Sequence, residues 1–289
     1  MDITDSIINY RRFLKRKNCA KGTVKNYMNS LKNFAIWIDL PIEEVTNQQI
    51  LAYIDYLLDK RLKAKTINNY LDSIRGFYKY LQNEENAVNS NPVKKGYCLR
   101  LGRPLPKHLR DEQAQKFFEF ISSIRDRAIF MLMLRCGLRV EEVANLTLSA
   151  IDLKRGQILI FKGKGSKGRI VYFSKDTYDA LVAYIKVRRP LRTQGLFLVE
   201  KGTCKGKKIS VRGIQKRIEY YSKKSEIKVS CHHLRHTMAT QLLNAGADLE
   251  IIQDLLGHSK ITTTQRYCKV SNLKVQRDYH KAMEYVLQR

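Results

Sequence analysis

Apolar residues recur at helical spacing through most of this chain, whereas strand-like patterns are confined to one short region. In the segments that start at Thr23 and Thr66, an apolar residue returns every three or four positions, which places these residues on one helix face. Threonine is a favoured N-cap residue, so both helices are predicted to begin there. The runs 157–161 and 169–173 read as short strands around a glycine-rich turn. The chain is therefore predicted to be mainly α-helical with one small β-sheet.

The helical pattern lapses in a stretch that is rich in turn-forming asparagines and contains the three prolines Pro92, Pro104 and Pro106. We expect an interdomain linker over about 83–107, because proline disfavours helix and these residue types favour turns. A helical domain is predicted at 1–100 and a second domain at 101–289. The second domain combines helices with the predicted hairpin and ends in a helix over about 273–287.

The chain is strongly basic. It has 54 lysines and arginines against 27 aspartates and glutamates, a net charge of +27 at pH 7. A folded chain with this charge is expected to bind a polyanion, because each phosphate that it neutralises releases counterions. Nucleic acid is the favoured partner, and a ribosomal or merely highly soluble protein is the alternative. The candidate DNA-binding residues are Lys21, Lys25, Lys63, Lys65, Arg75, Lys162 and Lys167.

Cysteine and histidine spacing argues against a disulfide framework and a metal site. The six cysteines form no Cys-x-x-Cys pair. His232, His233 and His236 lie near Cys231, but no second pair has zinc-finger spacing. The sequence shows neither a signal-peptide pattern nor an apolar run that could span a bilayer. We expect a cytoplasmic protein without membrane association, metal or cofactor.

Four basic elements and one tyrosine have the chemistry of phosphoryl transfer without a metal. Two guanidiniums can hold the non-bridging oxygens of a phosphate. A tyrosine phenol attacks phosphorus when a base or cationic surroundings activate it, and a lysine can protonate the departing oxygen. The candidate residues are Arg139, Lys164, His232, Arg235, His258 and Tyr267. Taken singly, an arginine could equally be a solvated helix residue, and Tyr267 is one of 16 tyrosines.

The order of these residues along the chain is more specific than any one of them. The ordered motifs are Cys-Gly-Leu-Arg139-Val-Glu-Glu142-Val, Gly-Lys164-Gly-Ser-Lys, His232-His-Leu-Arg235-His and Leu-Leu-Gly-His258-x8-Tyr267. This series resembles the tyrosine recombinase (phage integrase) family. The stretch 242–258 is similar to the Xer-like branch of that family, and transposon-type site-specific recombinases share the motifs.

The resemblance implies a fold and a role for each residue. It implies a helical, SAM-like N-terminal core-binding domain and a mixed α/β catalytic domain that close as a C-shaped clamp around double-stranded DNA. Arg139 and Arg235 would hold the scissile phosphate. Lys164 would be the general acid to the 5′ oxygen, with Lys162 and Lys167 as rivals for that role.

The remaining motif residues also receive roles from the resemblance. His232 would help to accept the proton of Tyr267, and His258 would hydrogen-bond the phosphate. Glu142 would support the arginine that lies three residues before it. No role for a metal or a cofactor follows.

The implied reaction joins DNA to Tyr267 through a 3′-phosphotyrosine bond and passes through a Holliday junction. Four protomers would hold two DNA sites and exchange their C-terminal helices. The resemblance leaves open whether the reaction resolves dimers or cointegrates or integrates and excises a mobile element, and whether accessory proteins take part. The alternatives are a type IB topoisomerase and a catalytically silent DNA-binding regulator.

Overall fold

The chain folds into two compact units, Met1–Arg103 and Pro104–Arg289, which we call the first and second units. Each unit buries apolar clusters of its own. The structure is a computed structural model. It describes residues 3–102, 106–161, 168–189 and 192–267, together with 279, 280, 283, 284 and 286.

The first unit is built from helices around an aromatic core. Its helices are α1 (Ile3–Arg16), α2 (Lys21–Trp37), α3 (Asn47–Asp59) and α4 (Ala64–Asn83). Phe34 and Trp37 of α2 contact Tyr53 of α3, with ring centroids 5.0 and 4.9 Å apart. Aromatic pairs at this separation stabilise a core beyond the area that they bury. The apolar face predicted from the sequence is therefore the face that holds α2 in the bundle.

The predicted helix starts at Thr23 and Thr66 are wrong by two residues. The helix α2 begins after Ala20 and α4 after Lys63, and neither preceding residue makes a side-chain cap. Both threonines thus lie in the first helical turn. A threonine N-cap is found at α3 instead, where the Thr46 side chain accepts a hydrogen bond from the backbone and completes a capping box.

The first part of the predicted linker is packed against α4. Val93 is 3% exposed, and Asn68 exchanges two hydrogen bonds of 2.9 Å with the backbone of Leu99. Arg75 donates to the backbone carbonyl of Val93 at 3.2 Å. These bonds satisfy backbone groups that burial would otherwise leave unpaired. The segment through Leu99 therefore belongs to the first unit.

The second unit is mainly helical with a small antiparallel sheet. Its elements are α5 (Asp111–Glu119), α6 (Ile124–Arg135), α7 (Val140–Asn145), β1 (Ile151–Asp152), β2 (Gln157–Ile160), β3 (Arg169–Tyr172), α8 (Lys175–Val187), α9 (Val211–Lys224), α10 (Cys231–Asn244), α11 (Leu249–Leu256) and α12 (Ile261–Thr264). Ile158 of β2 lies opposite Val171 of β3, which confirms the two predicted strands. The strand β1, which the sequence did not predict, pairs with the other edge of β2.

The helix α6 occupies the centre of the second unit. Ile129, Phe130 and Leu132 are fully buried, and both α8 and α10 pack on α6. The predicted mainly α-helical fold is confirmed. Most of the helix predicted over 273–287 lies outside the described residues. No helix within the described ranges is long and apolar enough to cross a membrane.

The Asn68 contact generates a prediction. We expect Asn68→Ala to release the segment near Leu99, because the substitution removes both side-chain hydrogen bonds to the half-buried backbone of Leu99. Hydrogen-exchange mass spectrometry should show faster exchange in peptides that contain Leu99. The control is Asn69→Ala on the same helix, whose side chain is exposed. Unchanged protection around Leu99 in the Asn68 variant would contradict this account.

Candidate active site

The helix α10 carries Arg235 into the interior of the second unit. Arg235 is 4% exposed, and its guanidinium donates hydrogen bonds to the carbonyls of Gly137 and Leu256. Burial, followed by the charge of Arg139, lowers the pKa of Arg235 to about 9. The side chain is thus fixed in position but retains further N–H donors, since a guanidinium has five.

Gly137 makes the contact with Arg235 sterically accessible. Its φ of +63° lies in the left-handed region, which strains other residues. A Cβ at this position would come within 2.9 Å of the Leu256 side chain. Glycine therefore allows the segments around residues 137 and 256 to approach, and Arg235 binds both.

Arg139 lies at the start of α7 and faces the same region. Its guanidinium donates to Glu142 at 3.0 Å and to the carbonyl of Gly257 at 3.1 Å. The Arg139 side chain is 34% exposed, so it remains accessible to a ligand. Its backbone N–H also donates to Glu142 at 2.7 Å. The predicted support of Arg139 by Glu142 is thus present as direct contact.

Glu142 also binds an arginine that the sequence analysis missed. Arg169 of β3 donates two hydrogen bonds to the Glu142 carboxylate, at 2.7 and 2.8 Å, and a third to the carbonyl of Leu255 at 2.8 Å. Burial alone would raise the pKa of Glu142, but the hydrogen bonds from Arg169 and Arg139 lower it to about 2. The sequence signal for Arg169 was weak, because it is one more basic residue beside a lysine-rich turn.

Tyr267 lies in a small apolar cluster close to these arginines. It is 2% exposed and packs with Met238 and Leu256. Burial raises the pKa of Tyr267, and the charges of Arg235, Arg266 and Arg139 act in the opposite direction. The phenol is therefore protonated at neutral pH but lies in surroundings that stabilise its anion.

His258 stacks beside Tyr267. The two rings are 6.5 Å apart and nearly parallel, at 7°. The His258 Nδ1 atom lies 3.0 Å from the Thr264 hydroxyl. Burial, with the charge of Arg235 next, lowers the pKa of His258 to about 4, so the ring is neutral at pH 7.

The histidine nearest to the tyrosine hydroxyl is not the predicted one. The Nδ1 atom of His236 lies 2.6 Å from the Tyr267 hydroxyl. His232, which was expected to help accept this proton, is exposed one helical turn earlier, and its ring centroid is 6.5 Å from that of His236. In the structure, the imidazole that contacts the Tyr267 hydroxyl is therefore that of His236, and the role expected of His232 stays a prediction. The available signal was the run of three histidines around Arg235, of which His236 directly follows the arginine.

The other predicted residues lie away from this centre or outside the described part of the chain. Lys162, Lys164 and Lys167 lie outside the described residues. On the first unit, the exposed candidates are Lys21, Lys25, Lys63 and Lys65. Arg75 differs from these lysines, because it is half-buried and its guanidinium binds Asp72 and the carbonyls of Val93 and Lys94. Its placement favours a role in holding the 93–98 segment.

The arrangement of arginine side chains in this site suits the binding of an anion. Arg139 and Arg169 bind Glu142, and the charges of all three act on Arg235, so the described part of the site carries an excess of positive charge. Guanidiniums of this kind bind phosphate with paired hydrogen bonds. In the described ranges, no cluster of three or more histidine, cysteine or carboxylate side chains is arranged to hold a metal ion.

Comparison with known proteins identifies the family. A sequence model of the phage integrase family matches residues 107–273. A second model, for the N-terminal SAM-like domain of phage integrase, matches residues 7–87. The chain belongs to the phage integrase family. The resemblance predicted from the ordered motifs is confirmed.

Relatives and solved structures agree with this family membership. The tyrosine recombinase XerC of Leptospira interrogans serogroup Icterohaemorrhagiae serovar copenhageni is 34% identical over 95% of this chain and 91% of its own. The crystal structure of a XerA recombinase is similar with a TM-score of 0.56 and 26% identity, over 96% of this chain and 98% of that one. A XerH recombinase structure bound to its difH substrate shares the fold, with a TM-score of 0.75 and 21% identity over 91% and 80%.

The buried carboxylate of this phage integrase family member generates a prediction. Its pKa falls from an ordinary value of 4.5 to about 2 in the fold. Glu142 therefore stabilises the fold above about pH 4.5, and this contribution is lost as the pH falls through about 2. We expect Glu142→Gln to lower the free energy of unfolding of the second unit at pH 7 by about 3 kcal/mol. Urea unfolding at several pH values measures the difference in the free energy of unfolding between wild type and the Glu142 variant.

The matched control for this prediction is Glu141→Gln. Glu141 is the preceding residue on α7 and is exposed, so its loss should change the free energy of unfolding little. The difference between wild type and the Glu142 variant should shrink only below pH 4.5. Equal stability of the two variants at pH 7 would show that the Glu142 carboxylate does not hold the arginines.

Proposed function

We propose that this tyrosine recombinase cleaves and rejoins double-stranded DNA at specific sites, with Tyr267 as the nucleophile. One observation carries the proposal: the Tyr267 phenol lies where the charges of Arg235 and Arg139 act on it. The net charge of +27 supports DNA as the partner. A relative at 34% identity that is named a tyrosine recombinase supports the same reaction.

The two predicted arginines act on the scissile phosphate. Arg139 and Arg235 bind its non-bridging oxygens through the N–H donors that the backbone carbonyls do not use, and so offset the charge of the transition state. His258 donates to the phosphate from Nε2, because its Nδ1 atom lies against Thr264. Lys164 is the general acid, with Lys162 and Lys167 as its rivals.

The chemistry conserves the energy of the phosphodiester. The Tyr267 oxygen forms a bond to phosphorus while the bond from phosphorus to the 5′ oxygen breaks, and Lys164 protonates the departing oxygen. The product is a 3′-phosphotyrosine bond. A 5′ hydroxyl can attack this bond in turn, so rejoining needs no ATP, and two such exchanges pass through a Holliday junction.

DNA binding extends to the first unit. The exposed lysines at 21, 25, 63 and 65 neutralise backbone phosphates there. The first unit thus acts as the core-binding domain and the second unit as the catalytic domain. This division follows the family match, in which the SAM-like model covers 7–87.

The active assembly is a homotetramer on two DNA sites that exchanges C-terminal helices. Tyr279 and Val286 support this arrangement, because they are 59% and 61% exposed although they are apolar. An open groove on the second unit offers an apolar surface, formed among others by Phe118, Met131 and Leu242. The exchange of a terminal element between identical copies is a common route to closed assemblies.

The proposed reaction serves to resolve dimers or cointegrates, or to integrate or excise a mobile element. Accessory proteins and a cytoplasmic location stay predictions. A type IB topoisomerase and a silent regulator are not favoured, since the relatives named above are recombinases and Tyr267, Arg139 and Arg235 are all present.

The nucleophile can be tested directly. Host DNA fragments that become covalently joined to the purified protein are first sequenced to define a site. A nicked duplex with this site is then used, because cleavage releases a short fragment and traps the adduct. We expect wild type and Tyr220→Phe, a change at an exposed tyrosine, to form the adduct. Tyr267→Phe should form none, and an adduct of that variant would contradict the proposal.

The assembly has its own test. We expect Tyr279→Ser combined with Val286→Ser to cleave the nicked duplex but to lose the pairing of two DNA sites, because both side chains are apolar and exposed. Mass photometry of protein–DNA complexes measures the number of protomers. The control is His280→Ser, which changes an exposed polar residue beside Tyr279. Tetramers of the double variant in wild-type yield would argue against helix exchange.

A further inference from the structure

His236 contacts the atom that reacts. Its Nδ1 atom lies 2.6 Å from the Tyr267 hydroxyl, and the two ring centroids are 5.5 Å apart. This distance is short for a hydrogen bond to a hydroxyl. None of the roles assigned above uses His236, since the motif residues are His232, Arg235 and His258.

The position of His236 is fixed by the same contacts that fix the arginines. It directly follows Arg235, which α10 holds against the carbonyls of Gly137 and Leu256. Tyr267 is held on its own side, where its backbone N–H donates to the carbonyl of Thr264 at 2.9 Å. The contact between imidazole and phenol therefore joins two anchored segments and is not a chance approach of two mobile side chains.

The protonation states define the direction of the hydrogen bond. Burial, with neighbouring positive charge, lowers the pKa of His236 to about 4, so the ring is neutral at pH 7. Burial raises the pKa of Tyr267, so the phenol keeps its proton. The titratable and charged groups that act on His236 are His232, His233, Arg235, His258, Arg266 and Tyr267. A neutral phenol is a good donor and a neutral imidazole nitrogen is a good acceptor, so Nδ1 accepts the Tyr267 O–H.

We propose that His236 is a catalytic residue whose Nδ1 atom accepts the phenolic proton when Tyr267 attacks DNA. The inference rests on the proposed function of Tyr267. The phenolic proton moves to Nδ1 as the bond from oxygen to phosphorus forms. The bond from phosphorus to the 5′ oxygen breaks, and the general acid protonates that oxygen. During rejoining, the imidazolium returns its proton to the tyrosine oxygen as the bond from that oxygen to phosphorus breaks.

The phosphate itself assists this transfer. Burial, followed by the charges of His232, Arg235, His233 and Arg266, lowers the pKa of His236 and so disfavours its imidazolium. A bound phosphodiester brings a negative charge to the arginines and thereby lowers the repulsion that the imidazolium experiences. Proton acceptance by His236 is thus favoured when DNA occupies the site, and the phenol stays protonated when it does not.

The test uses substitutions that separate a base from a positioning contact. His236→Asn places an amide oxygen near the position of Nδ1 and keeps a hydrogen-bond acceptor, but it is not a base. His236→Leu removes both properties. Cleavage of the nicked duplex is compared with cleavage of a duplex in which sulfur replaces the bridging 5′ oxygen, because a sulfur leaving group needs no general acid. Melting curves and a DNA gel shift check that each variant folds and binds.

We expect both His236 variants to cleave about 100-fold more slowly than wild type at pH 7, on the oxygen and the sulfur substrates alike. Their rates should rise with pH as the phenol ionises without help, whereas the wild-type rate should change little between pH 6 and 8. The control is His233→Asn, whose imidazole lies on the same helix but faces the Lys228 carbonyl. This variant should cleave at the wild-type rate.

Three results would overturn the role of His236: a wild-type rate for His236→Asn, rescue of either variant by the sulfur substrate, or a defect in His232→Asn without one in His236→Asn. Each of these results would still be consistent with Tyr267 as the nucleophile, provided that wild type forms its adduct through Tyr267. Failure of wild type to form that adduct would instead refute the proposed function.

Discussion

Hydrogen bonds from arginine side chains to backbone carbonyls hold the active site together. Arg235 binds Gly137, which lies 98 positions away in the chain, and Arg139 binds Gly257, 118 positions away. Both glycines have positive φ, at +63° and +60°, and a Cβ at either would crowd a neighbouring side chain. These hydrogen bonds therefore hold together the segments that carry the arginines, the histidines and Tyr267, an arrangement that we call the arginine frame. The distances between the site residues do not depend on flexible side chains alone.

This frame concentrates positive charge that the fold offsets only in part. The Glu142 carboxylate binds Arg139 and Arg169, and its pKa of about 2 records how strongly they stabilise its charged form. Arg235 makes its hydrogen bonds to carbonyls, and burial and Arg139 lower its pKa to about 9. Like charges held together in a buried site repel one another. A bound phosphodiester would relieve this repulsion, and under the proposed function the same interactions bind DNA and stabilise the transition state.

The sequence predicted the elements and the ordered motifs better than the contacts between them. Helical periodicity and the strands around the turn follow from local patterns, and motif order named Arg139, Arg235 and Tyr267. Arg169 was missed because it acts through a carboxylate and a carbonyl, neither of which is visible in local spacing. His236 was missed because helical spacing links residues three or four apart, whereas its role depends on Tyr267, 31 positions away.

The central claim is that the arginine frame presents a phosphate to Tyr267, which forms a covalent bond with it. Tandem mass spectrometry of the trapped protein–DNA adduct, after digestion with nuclease and protease, tests this claim most directly. The account predicts a single modified peptide that carries a 3′-nucleotide on Tyr267. A nucleotide on any other of the 16 tyrosines, or on another residue type, would contradict it.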